Sequence, residues 1–426
     1  MKNKNRMIVP KLRFREFQNC STWEAVPLNV LLYESKKRNR DLFYDKSDVL
    51  SVSGDFGCVN QIELLGRSYA GVSVKDYHVV EHGDIVYTKS PLKKNPYGII
   101  KENQGVAGIV STLYAVYKTT PFGNSSYINQ YFSRDYNVNS YLQPIVRKGA
   151  KNDMKVNNSA VLVGKVPITD LKEQQKIADC LTSLDDLITA ESKKLELLKD
   201  HKKGLMQKLF PAEGKTMPEW RFPEFLSDKV WKAEQIEQIT ENVVAGGTPS
   251  TTEDDYWNGS IRWMSSGELN LKVVYEVSGR ITELGLKKSS TKCIPALCVL
   301  IGLAGQGKTR GTAAINMVEL CINQSIAAIY PNPGLFNSFF LYHCLDNKYD
   351  ELRKISSGDG GRGGMNLKMI KTLNISFPSI PEQEKIANTL SSIDNLISGQ
   401  SKRIEQLKEH KKGLVQGLFP SLEEVD

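Results

Sequence analysis

One stretch of this chain occurs twice. Lys176-Ile177-Ala178 returns as Lys385-Ile386-Ala387, and His201-Lys202-Lys203-Gly204-Leu205 returns as His410-Lys411-Lys412-Gly413-Leu414. Leu209-Phe210-Pro211 returns as Leu418-Phe419-Pro420, and the offset is 209 residues throughout (385 − 176 and 420 − 211), with no gap. Between Gln174 and Pro211, 23 of 38 positions are identical. The chain is therefore a tandem duplication, and its fold has to be assembled from two like halves.

Each copy predicts a helix. Counting Glu191 and Lys202, the positions Ile177, Leu181, Leu184, Ile188, Leu195, Leu198, Leu205 and Leu209 fall on alternating steps of four and three. Ile386, Leu390, Ile393, Ile397, Ile404, Leu407, Leu414 and Leu418 repeat the frame, with Gln400 and Lys411 at the matching polar places. Such a stripe is a coiled-coil seam, narrower than that of a helix lying on a globule. Polar residues within a seam cost stability but fix register and partner. Asp170 with Glu173, and Ser379 with Glu382, stand where an N-cap and its capping-box partner belong. Gly204 and Gly413 weaken the last turns, and Pro211 and Pro420 mark the ends. A strict seam in duplicate predicts that the two copies pair with each other. Two amphipathic helices, each buried against its own domain, are the alternative.

A chain of 426 residues predicts two or three domains, and 40% hydrophobic with 24% charged residues is the balance of a soluble globular protein. The basic start, Met1 to Arg6, leads into no apolar run, so no secretory signal is expected. The longest apolar stretch, Ala296 to Gly305, is half the length of a membrane span. Seven scattered cysteines with no C-x-x-C pair predict reduced thiols in a cytoplasm and no zinc site. The net charge of +8 suggests an acidic partner.

The duplication extends beyond the helices. Pro10-x-x-Arg13-Phe14-x-x-Phe17 with Trp23 matches Pro218-x-x-Arg221-Phe222-x-x-Phe225 with Trp231. Each repeat thus opens with an aromatic and basic lead, continues through a long middle, and closes with the seam helix. The boundaries expected are 1–166 and 215–377 for the globular parts, and 167–214 and 378–426 for the helices. The two middles look different from each other in sequence. Both carry short apolar runs, among them Asp84-Ile85-Val86-Tyr87, Gly108-Ile109-Val110, Cys298-Val299-Leu300-Ile301 and Ala313-Ala314-Ile315. These read as strands, with helical pieces such as Phe336 to Leu345 between them. The fold class expected is α+β, with two divergent globules on one repeated frame.

Two motifs invite an enzymatic reading. Gly302 to Thr309 fits G-x-x-x-x-G-K-[ST], the loop that cradles phosphates, and makes a P-loop ATPase with a coiled-coil arm the alternative function. A P-loop must open a helix, yet Arg310-Gly311-Thr312 follows, and Met317-Val318-Glu319 is a short substitute for an acidic Walker-B strand. Asn95-Pro96-Tyr97 approaches the adenine-methyltransferase motif but lacks its second proline. The five histidines have no metal spacing, and no nucleophile-and-base set stands out. The expectation is no catalytic residue, no metal and no cofactor.

Basic residues near turn formers recur in both middles. Lys89, Lys93 and Lys94 beside Asn95, then Arg147, Lys148 and Lys151, belong to the first. Gln306, Lys308, Arg310, Arg362 and Asn366 belong to the second. This mixture suits a DNA face, where Lys and Arg meet phosphates while Arg, Asn and Gln read base edges. A solvated surface loop is the alternative at each position.

Taken as a set, these features resemble the specificity subunits of Type I restriction–modification systems. The residues carrying the resemblance are the lead Pro10-Lys11-Leu12-Arg13-Phe14, the runs Glu173 to Ala178 and Glu382 to Ala387, and the ends Lys203 to Pro211 with their second copies. Gly246-Gly247-Thr248-Pro249-Ser250, followed by Tyr256-Trp257-x-Gly259 and Trp263, resembles the opening of many such recognition domains. The resemblance implies two target recognition domains joined by two long antiparallel coiled-coil helices with a pseudo-twofold axis. It implies a non-catalytic subunit that binds double-stranded DNA, two methyltransferase subunits and two restriction subunits. Cofactors then belong to the partners, and no membrane is involved.

Overall fold

The computed structural model describes residues 8–148, 154–305, 308–356, 364–420 and 422. The chain divides into two compact units, Met1–Ser192 with Lys402–Asp426, and Lys193–Ser401. Each repeat closes in a helix of 39 residues, the central helix Leu171–Leu209 and the C-terminal helix Ile380–Leu418. Both stop two residues short of a proline, which cannot continue the ladder.

In the first unit, the main sheet is antiparallel, in the order Leu32–Glu34, Tyr114–Thr119, Ile85–Thr88, Ile99–Glu102. A hairpin of Leu50–Ser53 with Gly57–Asn60 and a pair of His78–Val80 with Gly108–Val110 form a second layer, bridged where Val49 runs parallel to Ile109. The second unit repeats this plan. Its main sheet runs Thr240–Ala245, Ile326–Pro331, Val299–Gly302, Ala313–Asn316, with Val273–Val274 added in parallel at the edge. Its other sheet runs Gly279–Ile281, Trp257–Met264, Leu320–Ile322, Lys292–Ile294. The strands starting at His78 and Ile85 recur 214 residues later, at Lys292 and Val299. The middles that look unlike in sequence are one topology used twice. A strand buried on both faces needs only a continuous apolar run, which many sequences supply; Ile85–Thr88 and Val299–Gly302 are buried along their whole length.

The helices close the cores. In the first unit, Trp23, Tyr117 and Tyr127 pack with Ile177, Ala178 and Leu181 and with Val415, Leu418 and Phe419 from the end of the C-terminal helix. In the second, Trp231 and Phe340 pack with Met206, Leu209 and Phe210 and with Ile386, Ala387 and Leu390. Each unit therefore joins the start of one helix to the end of the other. Ion pairs give the direction: Lys411 meets Asp185 at 2.7 Å and Arg403 meets Glu191 at 2.7 Å in the first unit. Residue numbers rise along one helix as they fall along the other, so the pairing is antiparallel. Lys202 meets Asp394 at 2.7 Å in the second unit. The polar breaks at Lys202, Lys411 and Glu191 thus carry cross-helix ion pairs.

Asp170 caps the central helix, its Oδ1 accepting from the amides of Lys172 and Glu173 at 3.0 Å. The capping box expected from Glu173 is not closed, because its carboxylate has another use. Glu173 is 1% exposed and accepts two bonds of 2.8 Å from the Arg13 guanidinium. Glu382 takes Arg221 in the same way, at 2.8 and 2.6 Å. The next residue ties the helix to its domain. Gln174 donates to the carbonyls of Thr169 and Phe122 and accepts from the Asn124 amide, as Gln383 does with Pro378, Leu335 and Asn337. Lys176 lies over the Phe14 ring and meets Glu16 at 3.2 Å, and Lys385 repeats this with Phe222 and Glu224. The duplicated run is thus the clasp by which each lead holds its helix.

A second expectation is corrected. The cysteines are not all free: Cys293 and Cys321 stand opposite each other in an antiparallel ladder and form a disulfide. Spacing in sequence does not reveal a pairing across a sheet. Among the described residues, no helix is long and apolar enough to cross a membrane.

Candidate nucleic-acid interface

In the first unit, Lys89, Lys93, Lys94 and Asn95 lie in the connection of the Ile85–Thr88 and Ile99–Glu102 hairpin. Lys93 and Lys94 are exposed; Lys89 is half-buried, and burial lowers its pKa from the ordinary value. Asn95 differs from them. It is 6% exposed, and its amide donates to Asp135 Oδ1 at 3.0 Å. Asn95 therefore shapes the loop from inside, because the turn needs its backbone and side chain. Gly98, at φ 93°, completes the return; a Cβ there would lie 2.0 Å from the Thr88 carbonyl.

The loop is held from two sides. Asn139 donates to the Lys94 carbonyl at 3.0 Å. The Tyr87 hydroxyl donates to the Tyr97 carbonyl at 2.9 Å and reaches the Met154 sulfur at 3.9 Å. Met154 belongs to the ribbon of Arg147–Lys148 with Met154–Lys155, so the ribbon that carries the exposed Arg147 meets the hairpin through Met154. Lys151 and the Lys148 side chain lie outside the described residues.

The second unit assembles the equivalent elements. Lys308, exposed, and Arg310, half-buried, lie in the connection of the Val299–Gly302 and Ala313–Asn316 hairpin. The Tyr349 hydroxyl donates to the Lys308 carbonyl at 3.2 Å, and the Leu303 carbonyl accepts from the Met365 amide at 2.9 Å. The segment leading to Asn366 is thereby brought to the hairpin. Asn366 is exposed and caps the helix Leu367–Lys371, accepting from the Met369 amide at 2.9 Å. Gln306 and Arg362 lie outside the described residues. In both units a second segment thus packs against the hairpin that carries the cations.

The phosphate-loop motif has no phosphate-loop context. Gly302 donates to the Thr312 carbonyl at 3.0 Å and Gly311 to the Gly302 carbonyl at 2.8 Å. The chain then returns as an antiparallel strand, where a nucleotide loop would open a helix. The glycine- and tryptophan-bearing stretch has a structural role that its spacing did not disclose. A Cβ on Gly246 would meet the Ile322 carbonyl at 1.8 Å. The Trp263 indole donates to the Gly247 carbonyl at 3.1 Å and stacks edge-on with Trp257 at 5.1 Å.

Residues 229–409 match the family model described as Type I restriction modification DNA specificity domain. The S subunit of a Type I restriction–modification system from M. genitalium superposes with a TM-score of 0.65, covering 97% of this chain and 100% of that one at 13% identity. Residues 229–409 thus carry a domain of the Type I DNA specificity family, and the chain has the fold of the M. genitalium S subunit. Similarity to Type I specificity subunits is partial in length. The MjaIX specificity subunit of Methanocaldococcus jannaschii is 31% identical over 198 residues, 46% of this chain and 45% of that one. The EcoR124I/EcoR124II specificity subunit of Escherichia coli is 29% identical over 155 residues, 35% of this chain and 38% of that one. The chain thus matches less than half the length of each.

Proposed function

We propose that this chain is the specificity subunit of a Type I restriction–modification complex, without catalysis of its own, and that it reads a bipartite DNA target, one half with each unit. The observation that carries this reading is the doubled domain. One topology, held by one clasp, appears twice with different residues on the same cationic hairpin, as two readers of different sequences require. Lys89, Lys93, Lys94, Arg147, Lys308 and Arg310 meet phosphates or guanine edges in this reading. Lys148, Lys151, Gln306, Arg362 and Asn366 are assigned the same role from the sequence.

The recognition domains are then 1–166 and 215–377, and the spacers are 167–214 and 378–426. Along the spacer seam, Ile177, Leu181, Leu184 and Ile188 run beside Ile404 and Leu407 in the first unit, and Leu195 and Leu198 run beside Ile386, Leu390, Ile393 and Ile397 in the second. Two methyltransferase subunits and two restriction subunits complete the assembly and bring the cofactors. Exchanging residues 27–166 for the matching part of a relative should change one half of the target and leave the other unaltered. Change in both halves, or in neither, would reject the two-reader reading.

A further inference from the structure

The two domains differ at one place. In the second unit, 14 residues separate Met264 from Gly279, and they include the segment Ser266–Leu271 and the strand Val273–Val274. Leu269 and Val274 of that excursion share one buried cluster with Ala314, which is fully buried. In the first unit the corresponding strands, Leu50–Ser53 and Gly57–Asn60, are joined by a short turn. The ladders align through Asn103 and Asn316, whose buried amides donate to the Glu81 and Pro295 carbonyls. That alignment puts Lys101 at the place of Ala314. What the chain fills in one domain is, in the other, a cleft of about 750 Å³ with a lysine in its wall.

Five cations line that cleft: Lys101, Arg134, Lys408, Lys411 and Lys412. The carboxylates beside them are mostly engaged. Asp185 accepts from Lys411 at 2.7 Å and from the Gln130 amide at 2.8 Å. Glu102 accepts from Ser125 at 2.6 Å, Ser126 at 2.9 Å and Gln104 at 3.0 Å. Lys101 has no ion pair or hydrogen bond among the described residues, and burial, then Lys411, lower its pKa against the pull of Asp185, Asp135 and Asp55. A half-buried ammonium without a counter-ion costs stability. Gln130, 1% exposed, keeps its Oε1 without a donor at the same wall.

We propose that this cleft is a phosphate-binding site, with Lys101 as its inner cation and Arg134, Lys408 and Lys412 as its rim. The phosphate comes from a DNA backbone or from a free phosphorylated molecule, and the site stands independently of the sequence-reading proposal. The test titrates the full chain with inorganic pyrophosphate by calorimetry at one ionic strength, and with a short non-target duplex by fluorescence anisotropy at several salt concentrations. Lys101→Met keeps the apolar stem and should weaken one of the two titrations about tenfold or more, the loss expected of one charge-assisted hydrogen bond. Lys101→Arg should restore it. Lys408→Ala with Lys412→Ala, on the exposed rim, gives the same readout should Lys101→Met fold poorly.

A response confined to pyrophosphate assigns the site to a free phosphorylated molecule. A response of the duplex, with the salt slope reduced by about one, assigns it to the backbone. Coincidence of both variants with the wild type in both titrations overturns the proposal. That result would leave sequence reading intact, just as a failed domain exchange would leave pyrophosphate binding intact.

Discussion

Replacing Glu382 by Ala tests whether the duplicated run is a clasp. The Glu382 side chain is 1% exposed and that of Arg221 8%, so deleting the carboxylate leaves a guanidinium buried without its counter-ion. Breaking a buried pair from one side costs about 3–5 kcal/mol, a large part of the 5–15 kcal/mol that typically holds a domain. The loss should be local, because Arg13 and Glu173 hold the first unit with an independent pair. Hydrogen exchange read by mass spectrometry should show lost protection at the ladder of Lys232–Gln235 with Asn374–Phe377. Protection should persist at Glu24–Pro27 with Lys165–Ile168 in the first unit. Arg221→Met with Glu382→Met removes both charges and should recover most of the loss. A cost of Glu382→Ala below about 1 kcal/mol, or equal loss in both units, would refute the clasp.

His343 should make the second unit acid-sensitive. Burial, then Lys202, hold its pKa at about 3 against an ordinary 6.5, so the unfolded chain takes the proton first. Its contribution is complete above pH 6.5 and is lost as pH falls toward 3, roughly 2 kcal/mol by pH 5, partly offset by Asp394, whose pKa burial raises. His343→Gln, copying Gln130 of the first unit, should flatten the denaturation midpoint against pH; an unchanged slope would remove His343 as the cause. Leu184→Asp with Ile393→Asp puts unpaired carboxylates in the seam, and light scattering should show assembly with the methyltransferase subunits lost; normal assembly would mean the seam does not hold the helices. Four residues inserted after Glu191 lengthen the central helix by about 6 Å, so the unread gap should grow by one or two base pairs of about 3.4 Å; methylation at the original gap would reject the ruler.

Much of the frame was legible in the sequence. The repeat at a constant offset, the two long helices and the prolines after Leu209 and Leu418 need only local chemistry to be read. The apolar runs at Ile85 and Val299 likewise announced strands. What stayed hidden depends on partners far along the chain. Glu173 looked like a capping-box residue because its spacing from Asp170 is right, while its partner Arg13 lies 160 residues away. Cys293 and Cys321 meet only through a ladder. The common topology of the two middles was invisible because burial constrains strands to be apolar and says little about which apolar residue. Asn95 read as an exposed polar residue beside lysines, yet its amide is spent on Asp135.

The central claim is that this chain directs its partners to one two-part DNA sequence. The most direct measurement maps modified bases across the host genome with the gene intact and with it deleted. The account predicts that one motif, two short blocks around an unread gap of fixed length, is modified in the first genome and unmodified in the second. An identical pattern of modification in both genomes would contradict it.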